Sequence, residues 1–188
     1  MEKIPTIFER DWNGNRGVID RWVIDPKLLL DATATEKVDG TNIRLTIRNH
    51  TLVRLEKRRN PDKIQKAKGI VEPWYVDADE FDKQDKWIWD AARNTDVSNI
   101  EDGEYSGEAF GTNIQGNPLG WDKNTVFLFS SPYWLNLHRL PTPPIDYKEL
   151  YEYLKNASST FNKEKGIEGI VWWKDGEPIG KIKLKDFK

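Results

Sequence analysis

The sequence predicts an α+β protein in which antiparallel sheets carry helices on their outside. Three observations predict it. Ile43, Leu45 and Ile47 alternate with Arg44, Thr46 and Arg48 in the period-2 pattern of a half-buried strand. Ile167 to Trp173 and Ile179 to Leu184 flank the turn residues Lys174-Asp175-Gly176-Glu177-Pro178 and read as a closing hairpin. The stretch Asp79 to Arg93 instead sets Phe81, Trp87 and Ala91 near helical spacings, and Asp146 can cap a second helix, Tyr147 to Asn156.

In chain order, Leu28 to Lys37 reads as the first strand, ending on a lysine just before the tight turn at Gly40. Such a position holds a side chain rigidly against a sheet, while the glycine lets the backbone come close to a ligand. The alternating strand then turns at Asn49-His50 into a partner, Thr51 to Leu55. Phe127 to Phe129 is a short apolar strand, and Pro141-Thr142-Pro143-Pro144 marks an exposed connection. In the second arm of the closing hairpin Lys181, Lys183 and Lys185 fall on one face, with Ile182 and Leu184 on the other. Burial of the two apolar residues would fix the lysine row.

Composition narrows the chemistry. A chain of 188 residues can bury a real core as one domain, and nine tryptophans, seven phenylalanines and six tyrosines supply aromatic mass for packing and base stacking. With no cysteine and only His50 and His138, thiolate and histidine-rich metal sites are excluded, so any metal is a hard, oxygen-bound cation such as Mg2+. No stretch approaches the length of an apolar membrane span and the first residues carry no apolar signal core, so the expectation is a cytoplasmic protein with no membrane partner. Net charge is only −2, but seven basic residues lie between Arg54 and Lys68 against Glu56 and Asp62. Local basic surface of that kind suits phosphate, although a solvated charged face gives the same pattern.

The run Glu36-Lys37-Val38-Asp39-Gly40-Thr41-Asn42 sets a lysine amine beside two carboxylates at a glycine turn, where it could act as a nucleophile toward a phosphate. Three segments follow in order: Gly107-Glu108-Ala109-Phe110-Gly111, then Glu168-Gly169-Ile170-Val171, then Lys181-Ile182-Lys183 with Phe187 four residues beyond. Together they resemble the covalent nucleotidyltransferases, the polynucleotide ligases and mRNA capping enzymes. The Glu-Lys-x-x-Gly-Thr-Asn form with Gly-Glu-x-x-Gly is most similar to ATP-dependent RNA ligases of the RNA ligase 2 type. The resemblance extends over residues 30–187.

What it implies is a ligase-type nucleotidyltransferase fold, antiparallel sheets around a nucleotide cleft, and three transfers. Lysine attacks the α-phosphate of ATP, AMP moves to a 5′-phosphate end, and a 3′-hydroxyl displaces AMP to seal the strand. Free lysine has a pKa of about 10.4. Neighbouring cations and a Mg2+ or Mn2+ ion would therefore favour the neutral Lys37 nucleophile while binding phosphate.

Carried over residue by residue, the resemblance sets Lys181 and Lys183 on the α-phosphate and Lys185 as a substrate contact. Glu168 would orient metal-bound water. Glu36 would turn its peptide group to adenine, and Asp39 with Gly40 would shape the turn and help hold the hydrated metal. Arg58, with Arg59 competing, would grip ribose or phosphate through its planar fork. Glu108 would accept from the ribose hydroxyls, with Gly107 and Gly111 allowing close approach and Glu104 as a near decoy. Phe129 aligns with the aromatic that stacks on adenine, but Phe127 on the same face competes, either could be core, and the family's following aspartate is replaced by Ser130-Ser131-Pro132.

Expected partners are RNA or a nicked duplex with 5′-phosphate and 3′-hydroxyl ends. Ligases of this class usually add a C-terminal OB-fold or helical domain after the last motif, and none fits beyond it here. The expectation is a single adenylyltransferase domain over 1–188, with a separate substrate-binding protein as a candidate partner. The basic stretch and exposed tryptophans are candidates for part of the strand grip. Three readings stay open: RNA ligase, minimal DNA ligase core (a GTP-using capping enzyme ranks below it), and a non-catalytic module that binds nucleotides or nucleic-acid ends.

Overall fold

The computed structural model describes residues 3–188. Strands β1 (Phe8–Arg10) and β2 (Val18–Trp22) lead to helix α1 (Lys27–Leu30) and strands β3 (Thr33–Glu36), β4 (Thr41–Arg48) and β5 (Thr51–Arg59). Helix α2 (Lys63–Ala67), strand β6 (Trp74–Asp77), helix α3 (Asp85–Arg93) and strands β7 (Gly103–Phe110) and β8 (Thr125–Phe127) follow. Helices α4 (Pro132–Leu137) and α5 (Tyr147–Asn156) precede β9 (Gly169–Lys174) and β10 (Glu177–Lys183). Every pairing between these strands is antiparallel, so the chain is a mixed α+β protein. Among the described residues, no helix is long and apolar enough to cross a membrane. The chain divides into two compact units: a middle unit built on Asp39–Trp134, and a terminal unit formed by Ile4–Val38 with Leu135–Lys188.

The middle unit is a five-stranded sheet in the order β6-β5-β4-β7-β8. Ile43, Leu45 and Ile47 of β4, all fully buried, pack with Leu55, Val126 and the α3 residues Ile88 and Ala91. The predicted turn into β5 is made by Asn49 and His50, both left-handed at φ 49° and 55°, a backbone that suits a tight antiparallel connection. Helix α3 begins at Asp85, not at Asp79. The side chains of Asp79 and Asp82 accept from the N–H groups of Phe81 (3.0 Å), Gln84 (2.8 Å) and Asp85 (3.1 Å). These local turns compete with helix, and they leave Phe81 89% exposed instead of packed.

The terminal unit carries a three-stranded sheet, β10-β9-β3, and the two-stranded pair β1-β2. Beyond β10 the backbone of Lys181 bonds Pro5 and Ile7, at 2.9 and 3.0 Å. Central strand β9 buries five consecutive residues, and Trp172 packs with Ile7, Phe8, Leu150, Leu154 and Ile182. Asp146 caps α5 as predicted, accepting from Lys148 and Glu149 at 3.0 and 3.1 Å. Two predicted boundaries shift. Leu28–Leu30 are helical rather than strand, because Asp25 accepts from Lys27 N–H (3.0 Å) and Pro26 presets the first turn. The hairpin turn closes on Asp175 and Gly176 alone, and β10 ends at Lys183, so Lys185 lies in a 3-10 turn, Leu184–Asp186, outside the strand alternation.

Candidate functional site

The predicted residues fall into two groups, one in each unit. In the terminal unit the register of β9 assembles the first. Glu36 pairs with Ile170 and Lys183 with Gly169, while Lys37 N–H bonds Gly169 O (2.8 Å) and Leu184 N–H bonds Glu168 O (3.0 Å). Because both neighbours run antiparallel to β9, their C-terminal ends flank its start. Lys37 and Lys183 therefore arrive on either side of Glu168.

Lys37 Nζ donates to Glu168 Oε2 at 2.8 Å and Lys183 Nζ to Oε1 at 2.5 Å. Both lysine side chains are 21% exposed and the glutamate 16%, so these charge-assisted bonds are only partly screened by water. Burial by itself pushes the Glu168 carboxyl up, but the hydrogen bonds and charges of Lys183 and Lys37 outweigh it and hold it below the usual glutamate value. Lys185 sits 3.8 Å from the same carboxylate but is 71% exposed. Lys181 shares the Lys183 face of β10, two residues earlier.

Glu36, next to the nucleophile candidate, is 2% exposed and turned into the protein. Its carboxylate accepts from the Ser159 hydroxyl (2.8 Å), the Thr160 hydroxyl (2.9 Å) and Thr160 N–H (2.5 Å). Burial raises its pKa, and these three donors partly oppose the rise. Sequence reasoning missed Ser159 and Thr160; the only signal was the run Ser158-Ser159-Thr160, which reads as an ordinary loop. Beside them His138 stacks on Phe161 at 4.0 Å, and burial pushes its imidazole down to about 4.

In the middle unit the second group forms a row across one sheet face. Tyr75 pairs with Arg58, Asn42 with Glu108, and Glu108 with Phe127. The pairing of Ile43 with Lys57 sets Asn42 beside Arg58. The Tyr75 hydroxyl donates to Asn42 Oδ1 at 2.8 Å and lies 3.2 Å from Ser106 Oγ, while Asn42 Nδ2 donates to Glu108 Oε2 at 3.4 Å. Arg58 Nε is buried with no hydrogen-bond partner among the described residues, so an acceptor brought by a ligand would satisfy it. Arg59, one residue on, falls with Lys57 on the opposite face. Glu104 pairs with Arg44 at 3.6 Å.

Gly40 and Gly107 serve packing. A Cβ on Gly40 would collide with the Ala109 carbonyl oxygen, and one on Gly107 would lie 2.7 Å from Phe127 O. Phe127 and Phe129 are 2% and 6% exposed and meet edge to face at 6.2 Å, so both rings lie in the interior. Asp39 is exposed. The basic stretch is partly neutralised: Arg54 bonds Asp77 (2.7 Å) and Lys57 bonds Asp85 (2.5 Å).

Among the described residues, no group of three or more His, Cys, Asp or Glu side chains could hold a metal ion. Glu168 offers one hard carboxylate. That fits Mg2+ or Mn2+, which commonly takes one protein carboxylate and completes its shell with water and substrate phosphate oxygens.

No protein-family model matches the chain, and no curated protein matches it. Among solved structures it is similar to an RNA ligase of Naegleria gruberi. A mutant with AMP and Mn aligns at 15% identity and TM-score 0.41, over 81% of this chain and 48% of that one. An apo mutant aligns at 15% and 0.40, over 97% and 60%. The form with PPi aligns at 16% and 0.40, over 81% and 48%. The chain thus spans 48 to 60% of the length of these structures. Likeness of this degree assigns no family.

Proposed function

We propose that the chain is an ATP-dependent RNA ligase core that joins 3′-hydroxyl and 5′-phosphate ends through a lysyl-AMP on Lys37. The observation that carries the reading is the pair of bonds from Lys37 and Lys183 to the two oxygens of Glu168, at 2.8 and 2.5 Å. A lone surface lysine has no such setting.

Lys37 must lose a proton before it attacks. Glu168 Oε2, which already accepts from Lys37, stands where that proton leaves. The nitrogen then bonds to the α-phosphorus of ATP, the bond to the β-phosphate oxygen breaks, and pyrophosphate departs. Lys183, and Lys181 on the same face, hold the α-phosphate oxygens, where positioning and neutralised charge supply most of the acceleration. A bound Mg2+ or Mn2+, held by Glu168, would add hard positive charge at the phosphate oxygens. Taken by itself, the middle-unit row offers a sugar or phosphate the acceptors and donors of Glu108 and Asn42 and the unfilled N–H of Arg58. RNA or nicked duplex is the strand substrate, with a separate protein supplying further grip.

The test is incubation with Mg2+ and α-labelled ATP or GTP, beside Lys37→Ala, followed by denaturing electrophoresis. The expected result is label from ATP that survives denaturation and is absent from the variant. No label from either nucleotide on folded protein overturns the catalytic reading and leaves a binding module. Sealing of nicks with DNA rather than RNA on the 3′-hydroxyl side would reassign the enzyme as a DNA ligase core.

A further inference from the structure

Behind the Tyr75–Phe127 row, the middle unit has a cavity of about 440 Å³. Its lining includes Lys57, Arg58, Arg59 and Lys83, with Asp85 as the only acidic member. Lys57 pairs across the sheet with the core residue Ile43, and Trp87 and Asp85 belong to α3. The cavity therefore opens on the α3 side of the sheet, opposite Asn42 and Glu108.

Asp85 is 3% exposed and already bonded to Lys57 and to Asp79 N–H. Nearby Asp82 accepts the N–H groups of Gln84 and Asp85, and Lys57 and Arg59 also help hold its carboxyl low. On this face two carboxylates thus answer three cations, Lys57, Arg59 and Lys83, and the excess faces a space large enough for one nucleotide unit. Trp87 offers an aromatic surface at the same place.

We propose that this cavity is a second anion site that takes the phosphodiester backbone of a polynucleotide strand. The identity of the strand rests on the ligase reading; the cationic cavity does not. Each phosphate neutralised on a single strand contributes about 0.7 to the slope of log K against log salt. A single lost contact then costs about eightfold in affinity at about 50 mM salt, referred to about 1 M.

The probe is a fluorescein-labelled single-stranded oligouridylate with a 5′-phosphate, titrated by anisotropy across a salt series. Lys83 and Gln84 are exposed, and the Gln84 side chain makes no capping bond, so both accept substitution without loss of packing. Lys83→Ala should lower affinity about eightfold at about 50 mM salt and flatten the slope by about 0.7, and Gln84→Lys should steepen it by a similar amount. Lys37 labelling should be unchanged in both.

If both variants bind the oligonucleotide as the parent does, the site is overturned, whatever Lys37 does with ATP. If Lys83→Ala weakens tripolyphosphate binding but not the oligonucleotide, the cavity takes free small anions and the strand assignment falls. If the slopes shift as expected but Lys37 takes no label, the site stands and the ligase reading falls.

Discussion

Removing the carboxylate of Glu168 while keeping its shape gives the sharpest test of the cluster. In Glu168→Gln, Lys37 and Lys183 would face one neutral amide. Their bonds to the two carboxylate oxygens, 2.8 and 2.5 Å, hold the ammonium groups close together. Two unit charges about 5 Å apart at an effective dielectric of about 20 repel by about 3 kcal/mol. One amide oxygen still accepts from one lysine, and each lysine is 21% exposed, which screens part of the repulsion. The expected loss is about 2–3 kcal/mol at neutral pH, read from urea unfolding by tryptophan fluorescence.

A second signature lies in pH. The folded-state pKa of Glu168 is depressed, so the native state binds fewer protons than the unfolded chain. Its contribution is fully present above the unfolded value of about 4.3 and is lost as pH falls through the folded one. Glu168→Gln should flatten that acid limb. Adding Lys183→Met should recover about 1 kcal/mol or more, because the repelling partner is gone. Equal urea midpoints for parent and Glu168→Gln, with the same acid limb, would refute the electrostatic argument.

Other outcomes follow from single contacts. Gly40→Ala forces a methyl against the Ala109 carbonyl and should cost about 1–3 kcal/mol in urea unfolding; an unchanged midpoint would contradict the packing described. Tyr75→Phe removes the hydroxyl that fixes Asn42 beside Glu108, and should weaken binding of a non-hydrolysable ATP analogue about fivefold by calorimetry; unchanged affinity would exclude Tyr75 from positioning the row. His138 should titrate by NMR near 4, remaining neutral where a free imidazole charges. Its depressed value means stability falls as pH drops below about 6.5, and a midpoint near 6.5 would rule out the burial described.

Much of this was legible because it is local. The alternation of Ile43, Leu45 and Ile47, the Asn49-His50 turn and the Asp146 cap each report a backbone state through neighbouring residues. Lys37, Glu168 and Lys183 could be singled out by motif and the closing hairpin brings the last two together, but the arrival of Lys37 at the same carboxylate depends on β9 pairing with β3, which no local pattern encodes. Tyr75 escaped notice because a tyrosine on an edge strand looks like any half-buried aromatic until register sets it against Arg58. Ser159 and Thr160 were invisible as partners of a residue more than 120 positions earlier. The start of α3 was misread because Asp79 and Asp82 can begin a helix or bind turn N–H groups, and here they do the second.

The terminal unit is assembled from the two ends of the sequence, with Lys37 and Glu168 131 positions apart. During synthesis, the ribosome releases Lys37 long before the residues that give it a setting. A nascent chain stopped before Lys183 has the lysine and at most its carboxylate, but not the second cation. Pairings of such separation also form slowly. The newly made chain thus carries its own delay: Lys37 waits for more than 130 further residues before its carboxylate partner exists, and longer still for Lys183.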